Sequence, residues 1–190
     1  TWPYKMDKSR RYEENRLIIG VKLANLRIFE TAQRDPRYRG MGTTLVSLFF
    51  VDGGAYCSHV GDSRIYRVRT GEIEQLTEDH SLLNDYIKMK KLTAEEIENF
   101  PHKNVIVRAL GMKDVVKVDV IHEKPHPSDI FLLCSDGLSG MCTDEELLEI
   151  VLKNEGDLPK ASHDLIDAAN AHGGTDNITV VLCKFLGQTA

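Results

Sequence analysis

Three things are scarce in this chain, and each scarcity excludes a class of protein. Cysteine occurs four times, at Cys57, Cys134, Cys142 and Cys183, with no Cys-x-x-Cys pair. A disulfide framework needs a denser, paired set, and a zinc ribbon needs closely spaced pairs. Three of the four stand in apolar or strand-like surroundings. They are read as reduced core residues rather than bridges or zinc ligands, which suits the cytoplasm. Long apolar runs are missing too. No stretch approaches the roughly 20 residues that span a bilayer, and the first residues show no basic segment leading into an apolar one. The third scarcity is charge of one sign. Lys and Arg number 24 against 29 Asp and Glu, a net charge of −5, which speaks against a nucleic-acid or anionic-membrane surface.

What is present suits one globular domain over residues 1–190: 42% of the chain is hydrophobic, enough for a sizeable core. Leu17, Val21, Ala24, Ile28 and Ala32 recur at helical spacing and predict a helix over 11–34, ended by Pro36 and Gly40. TTLVSLFFV (43–51), AYCSHV (55–60) and RIYRVR (64–69) read as strands, the first two joined by the turn Asp52-Gly53-Gly54. Residues 77–104 change character, with charges, two short helices and a capping box from Thr93 to Glu96, and read as an excursion from the sheet core. VVKVDVIH (115–122) alternates like a half-exposed strand, and DIFLLC (129–134) reads as a buried one. Thr143 to Glu146 form a second capping box opening a helix to about Lys153. A helix near 159–172 and a strand over 177–185 complete the chain. Hairpins alternating with longer helical blocks indicate an α+β layered domain, not a βαβ array.

Three aspartates share a local pattern. Asp62 in HVGDSR follows a strand, Asp136 in CSDGLSG follows another, and Asp176 in GGTDNIT precedes the last. Any one alone reads as turn chemistry, as Asp52 does. Together, carboxylates converging at a sheet margin repel unless a cation neutralises them. Mg²⁺ and Mn²⁺ prefer such oxygen ligands, and two ions about 3.5–4 Å apart can bind a phosphate and activate water.

GMGTTLV (40–46), VGDSRIYRV (60–68), LTEDHS (76–81), VRALG (107–111), DIFLLCSDGLSG (129–140) and GGTDNITVVL (173–182) stand in an order that resembles the metal-dependent protein phosphatase 2C family, its bacterial type most closely. The resemblance covers about residues 13–185. It implies a four-layer α-β-β-α sandwich of two antiparallel sheets flanked by helices, with a dinuclear Mg²⁺ or Mn²⁺ centre at one edge. It implies hydrolysis of phosphoserine and phosphothreonine in proteins by direct attack of water. Asp136 and Asp176 would ligate the first ion, and Asp62 would help hold a third, weaker one with Asp136. The excursion at 77–104 would be the family's flap. No catalytic residue beyond these ligands is assigned, and no substrate-binding one. His80 in EDHS recurs in the family by resemblance, and it is read as structural at the flap base rather than catalytic. Arg64 is read as anchoring the GDSR turn and His59 as packing or surface. Phosphoproteins, a Ser/Thr kinase and its targets would be partners, with a monomer expected and no nucleic acid or membrane.

The family pattern also has an early acid and an Asp-Gly-x-Gly-Gly motif whose Asp bridges both metals. Before residue 40 the aspartates are Asp7 and Asp35, and neither precedes Gly. The expectation is that the family's N-terminal strands are missing from these 190 residues. Two other classes are carried alongside. One is a phosphatase-like binding or regulatory module without activity. The other is a hydrolase using Thr1 as an N-terminal nucleophile.

Overall fold

The computed structural model describes residues 4–89, 92–101 and 105–187; Thr1, weighed above as a nucleophile, lies outside them. The helical spacing near the N-terminus produces α1, Tyr12–Arg34, followed by a single 3₁₀ turn at Pro36–Tyr38. The strands are β1 (Leu45–Val51), β2 (Gly54–Val60), β3 (Arg64–Arg69) and β4 (Glu72–Gln75). Two short helices follow, α2 (Leu82–Met89) and α3 (Ala94–Glu98). Then come β5 (Asp119–Glu123), β6 (Ile130–Cys134), the one-turn α4 (Asp136–Ser139), α5 (Asp144–Lys153), α6 (Leu158–Ala171) and β7 (Val180–Lys184). One sheet runs in the order β1-β2-β5 and the other β4-β3-β6-β7. The fold is α+β, with two antiparallel sheets and flanking helices. By its internal contacts the chain forms two compact units. One comprises Thr1–Leu45, Ser58–Asp62 and Asp79–Val120, the other Val46–Cys57, Ser63–Glu78 and Ile121–Ala190.

In the first unit α1 supplies the framework. Val21 is buried, and Ile18, Ala24 and Ile28 pack with it around Val60, Leu110, Val116 and Val118. The buried stripe of α1 also contains two asparagines, Asn15 and Asn25. Asn25 Nδ2 donates to the carbonyls of Lys113 (3.0 Å) and Asp114 (3.1 Å), and its Oδ1 accepts from Gly111 N–H (2.9 Å). Such satisfaction is what lets an amide stay buried. The strand expected over 115–122 begins only at Asp119. Asn25 holds the backbone upstream of it, at Lys113 and Asp114, and Val116 and Val118 bury against the α1 cluster without joining a strand. In the 77–104 excursion, the Thr93–Glu96 capping box forms with both reciprocal bonds; residues 90–91 and 102–104 of it lie outside the described residues.

The second unit is built on β6. IFLLC pairs antiparallel with β3 on one side, Arg64 opposite Cys134, and with β7 on the other, Cys134 opposite Val180. The two-residue period sorts its side chains. Ile130, Leu132 and Cys134 join Tyr66, Val68, Leu147, Val151, Leu165 and Ala169 in one cluster, supplied by β3, β6, α5 and α6. Phe131 faces the other way with Ile65 and Cys57, its ring edge-on to Phe50 at 5.9 Å. Each fully buried Leu or Phe here contributes roughly 1.5–3 kcal/mol. Asp129, at the foot of β6, is buried and takes a bidentate pair of bonds from Arg69 (2.8 and 2.7 Å) and one from His126 N–H (2.7 Å). Burial pushes its pKa up, yet these donors hold it below the ordinary value.

Candidate metal centre

The residues of CSDGLSG leave β6 at Cys134 and turn at once. Ser135 clasps the segment before β7. Its N–H donates to Thr179 O (3.2 Å), its Oγ donates to Asn177 O (3.0 Å), and the same Oγ accepts from Thr179 N–H (3.0 Å). Asp136 opens α4, a single turn closed by Gly140 N–H on Asp136 O at 2.7 Å. Gly137 has a steric reason: a Cβ there would lie 2.4 Å from Asn177 O and 3.4 Å from the carbonyl carbon of Asp176. The backbone carrying Asp176 therefore presses against the backbone that follows Asp136. Both aspartates are exposed, and Asp176 Oδ1 accepts from Asn177 N–H (2.7 Å). Thus two of the three sequence-predicted carboxylates sit on segments tied to each other within one unit. Arg64, opposite Cys134 in the β3–β6 register, donates to Tyr66 Oη at 2.8 Å; burial pushes the Tyr66 phenol up.

Asp62 belongs to the other unit and is buried just beyond β2. Its neighbour Gly61 has φ +109°, and a Cβ there would lie 2.4 Å from Thr44 Cγ2, so only glycine fits. His80 brackets this glycine. Its backbone N–H donates to Gly61 O, and its ring Nδ1 accepts from Gly61 N–H, both at 3.0 Å. An Nδ1 that accepts must leave the proton on Nε2, which donates to Asp119 Oδ2 at 2.8 Å. Arg108 Nη1 bonds the same oxygen at 2.7 Å, and Lys117 Nζ lies 3.2 Å from the other. His59 stacks on His80 with centroids 4.6 Å apart. Burial, then Arg108 and His59, lower the His80 pKa against the pull of Asp119. Burial raises that of Asp119, but Arg108, Lys117 and His80 bring it well below the ordinary carboxylate range.

His59, His80 and Asp119 offer ligand atoms within 4.8 Å of one another, a spacing that could hold a metal ion. Both His80 nitrogens are already engaged, however, and the Arg108 guanidinium supplies the positive charge. His80, Asp119, Arg108 and Lys117 form an ion-pair network, and the structural role expected of His80 fits it. Sequence reasoning missed Arg108 and Asp119 as its other members. The signal was there for Arg108, which lies in VRALG, but Asp119 passed for the polar face of a strand.

The comparisons with known proteins bear on this arrangement. Residues 8–179 match the family described as Protein phosphatase 2C. The chain belongs to that family. It is 43% identical over 172 residues to Protein phosphatase PhpP of Streptococcus pneumoniae, covering 90% of this chain and 68% of that one. A serine/threonine phosphatase of S. agalactiae superposes with a TM-score of 0.82 at 38% identity, over 90% of this chain and 71% of its own. The catalytic domain of the serine/threonine protein phosphatase PstP, solved with two manganese ions, gives 0.74 at 34% identity, over 87% and 68%. By family, then, the chain is a metal-dependent serine/threonine protein phosphatase of bacterial type, a hydrolase.

Proposed function

We propose that this protein hydrolyses phosphoserine and phosphothreonine in proteins using Mg²⁺ or Mn²⁺, with Asp136 and Asp176 as ligands of one ion. The observation that carries the assignment is the clasp between the two segments. Ser135 and Gly137 hold the backbone at Asn177 against the start of α4, leaving two exposed carboxylates on adjoining turns. No cation of the protein pairs with Asp136 or Asp176 among the described residues. Oxygen-only donors open to water are what hard divalent ions take. The ion, when bound, supplies positive charge to the phosphoryl oxygens and acidifies water. The chain's own part is to fix two carboxylates on rigid strand ends and to leave that face wet. Asp62 is assigned to a further, weaker ion on the strength of its GDSR motif.

Phosphoproteins are the proposed substrates, with a Ser/Thr kinase and its targets as partners, a monomer as the working form and the cytoplasm as the place, where the four free thiols would persist. Among the described residues no helix is long and apolar enough to cross a membrane. The 77–104 excursion is proposed to act as the flap. Nothing observed favours an inactive module. The test is Mn²⁺-stimulated hydrolysis of an aryl phosphate by the gene product: Asp136→Asn and Asp176→Asn are each expected to abolish it. Full activity in both variants would overturn the assignment.

A further inference from the structure

Charge is distributed unevenly along the chain. Residues 1–39 hold ten Lys and Arg against five Asp and Glu, although the whole chain carries −5. Part of this excess gathers beside α1, because one buried side chain folds the preceding residues back along the helix. Asn15 of α1 accepts from Asp7 N–H through its Oδ1 (2.7 Å). Its Nδ2 donates to the carbonyls of Asp7 (2.9 Å), Arg10 (3.2 Å) and Arg11 (3.1 Å). A buried amide satisfied at both ends is a firm anchor for a loop. Further along α1 the Lys22 ammonium lies 5.8 Å from the centre of the Tyr4 ring, a cation–π contact that holds the start of the segment beside the helix.

Between this segment, α1 and residues 115–118 lies a groove of about 440 Å³, all of it within the first unit. That volume falls in the roughly 300–1,000 Å³ of ligand sites and admits a bulky side chain. Ile18 of α1 and Val116 give the groove apolar lining, and Val115 adds an apolar side chain that is 67% exposed. The charged lining is Lys5, Arg10, Lys22 and Lys117 against one carboxylate, Asp7. That carboxylate is already filled. Its Oδ1 accepts from Ser9 N–H (2.9 Å) and Ser9 Oγ (2.6 Å), and its Oδ2 lies 3.4 Å from Arg10 Nε. Arg10 also bonds Glu14 (2.6 Å), and Lys117 lies 3.2 Å from Asp119. Lys5 and Lys22 have no carboxylate partner among the described residues.

Two uncommitted ammonium groups beside an apolar trough complement a chain that brings carboxylates and an apolar side chain together. We propose that this groove docks an acidic peptide segment of a protein partner, one that carries a large apolar side chain between carboxylates. The apolar side chain enters between α1 and residues 115–118, and the carboxylates meet Lys5 and Lys22. Glu14, bonded to Arg10, adds negative charge next to the groove. A broad anionic surface, a bilayer or a nucleic acid, would be repelled by it, whereas a short peptide can avoid it. Such docking is independent of whether the protein hydrolyses phosphoesters, since it concerns binding alone.

The probe is a fluorescein-labelled peptide with one phenylalanine between two runs of Glu and Asp, followed by fluorescence anisotropy on the full gene product. The wild-type protein is expected to bind it roughly 10-fold or more tightly than the counterpart built with Gln and Asn. Raising salt from about 50 to about 200 mM should weaken binding several-fold. The double change Lys5→Glu with Lys22→Glu should weaken it by roughly 10-fold or more. Lys22 is half-buried, so Lys5→Glu alone, at an exposed side chain, provides an arm that leaves the fold intact, with a loss of roughly 3-fold. Val115→Asp, on the exposed apolar side chain, should also weaken binding. Lys153→Glu makes the same charge change at the end of α5, outside the groove, and should leave binding unchanged. Equal affinity for the acidic and neutral peptides, unchanged binding in Lys5→Glu and in the double variant, or an equal loss in Lys153→Glu overturns the proposal. So does preferential binding to phosphatidylserine vesicles or single-stranded DNA that the double variant abolishes.

Discussion

Asp119 and Asp136 are both aspartates at the end of a strand, and they sit in opposite surroundings. Asp119 is ringed by donors from Arg108, Lys117 and His80. Asp136 opens a one-turn helix, exposed, with no protein cation bonded to it among the described residues. A carboxylate whose oxygens are filled by the protein contributes to holding the fold. One left to water, on a turn that presses against the backbone following a second exposed aspartate, stays available to a ligand, as proposed above. The difference lies in who satisfies the charge, not in residue type or in position along a strand.

Mutational signatures should separate the two kinds, and the largest effect should fall on activity. Asp136→Asn and Asp176→Asn are expected to lower Mn²⁺-dependent hydrolysis by roughly two orders of magnitude or more. Their thermal unfolding should stay within about 0.5 kcal/mol of wild type, as for surface changes. A large stability loss in either would erase the contrast. Next comes the support of the aspartate pair. Gly137→Ala places a methyl 2.4 Å from Asn177 O and should cost about 1–3 kcal/mol, read by urea unfolding. Gly156→Ala, where nothing lies within 4 Å, should be nearly silent.

For the saturated site the expectation reverses. Arg108→Ala leaves Asp119 with fewer donors and should destabilise by about 1–3 kcal/mol. Acid should do the same gradually. His80 has a folded pKa below its ordinary 6.5, so below that pH the unfolded chain binds the proton first and stability falls. Asp119, likewise depressed, adds a further loss below about 3.8, where the unfolded carboxyl protonates before the folded one. Melting temperatures between pH 7 and 5 should therefore drop in the wild-type protein and drop less in His80→Gln. A more modest loss belongs to helix starts outside both sites: Thr143→Ala removes one half of a capping box and should cost about 1 kcal/mol in the same unfolding measurement.

Much of this was legible in the chain because its signals are local. RIYRVR becomes β3 over the same residues, 64–69, and both capping boxes form as the T-x-x-E spacing predicts. Rotamers, caps and two-residue alternation act within a few residues, so a sequence displays them directly. The misses are all long-range. Asn25 reaches residues 86 to 89 positions away, Arg69 finds Asp129 60 positions on, and Arg108 and His80 meet on Asp119. A buried asparagine in a helical stripe looks like a defect until its partners arrive.

By itself the sequence determined the element types, the α+β class, the family through its ordered motifs, and which aspartates stand at strand ends. Tertiary structure alone decided which of those ends meet. The strand order β4-β3-β6-β7 puts β6 beside β7, and with it Ser135 beside Asn177 and Thr179 and Gly137 under Asn177. Strand adjacency is set by packing and ladder hydrogen bonds between segments some 40 residues apart, and no local pattern encodes that neighbour.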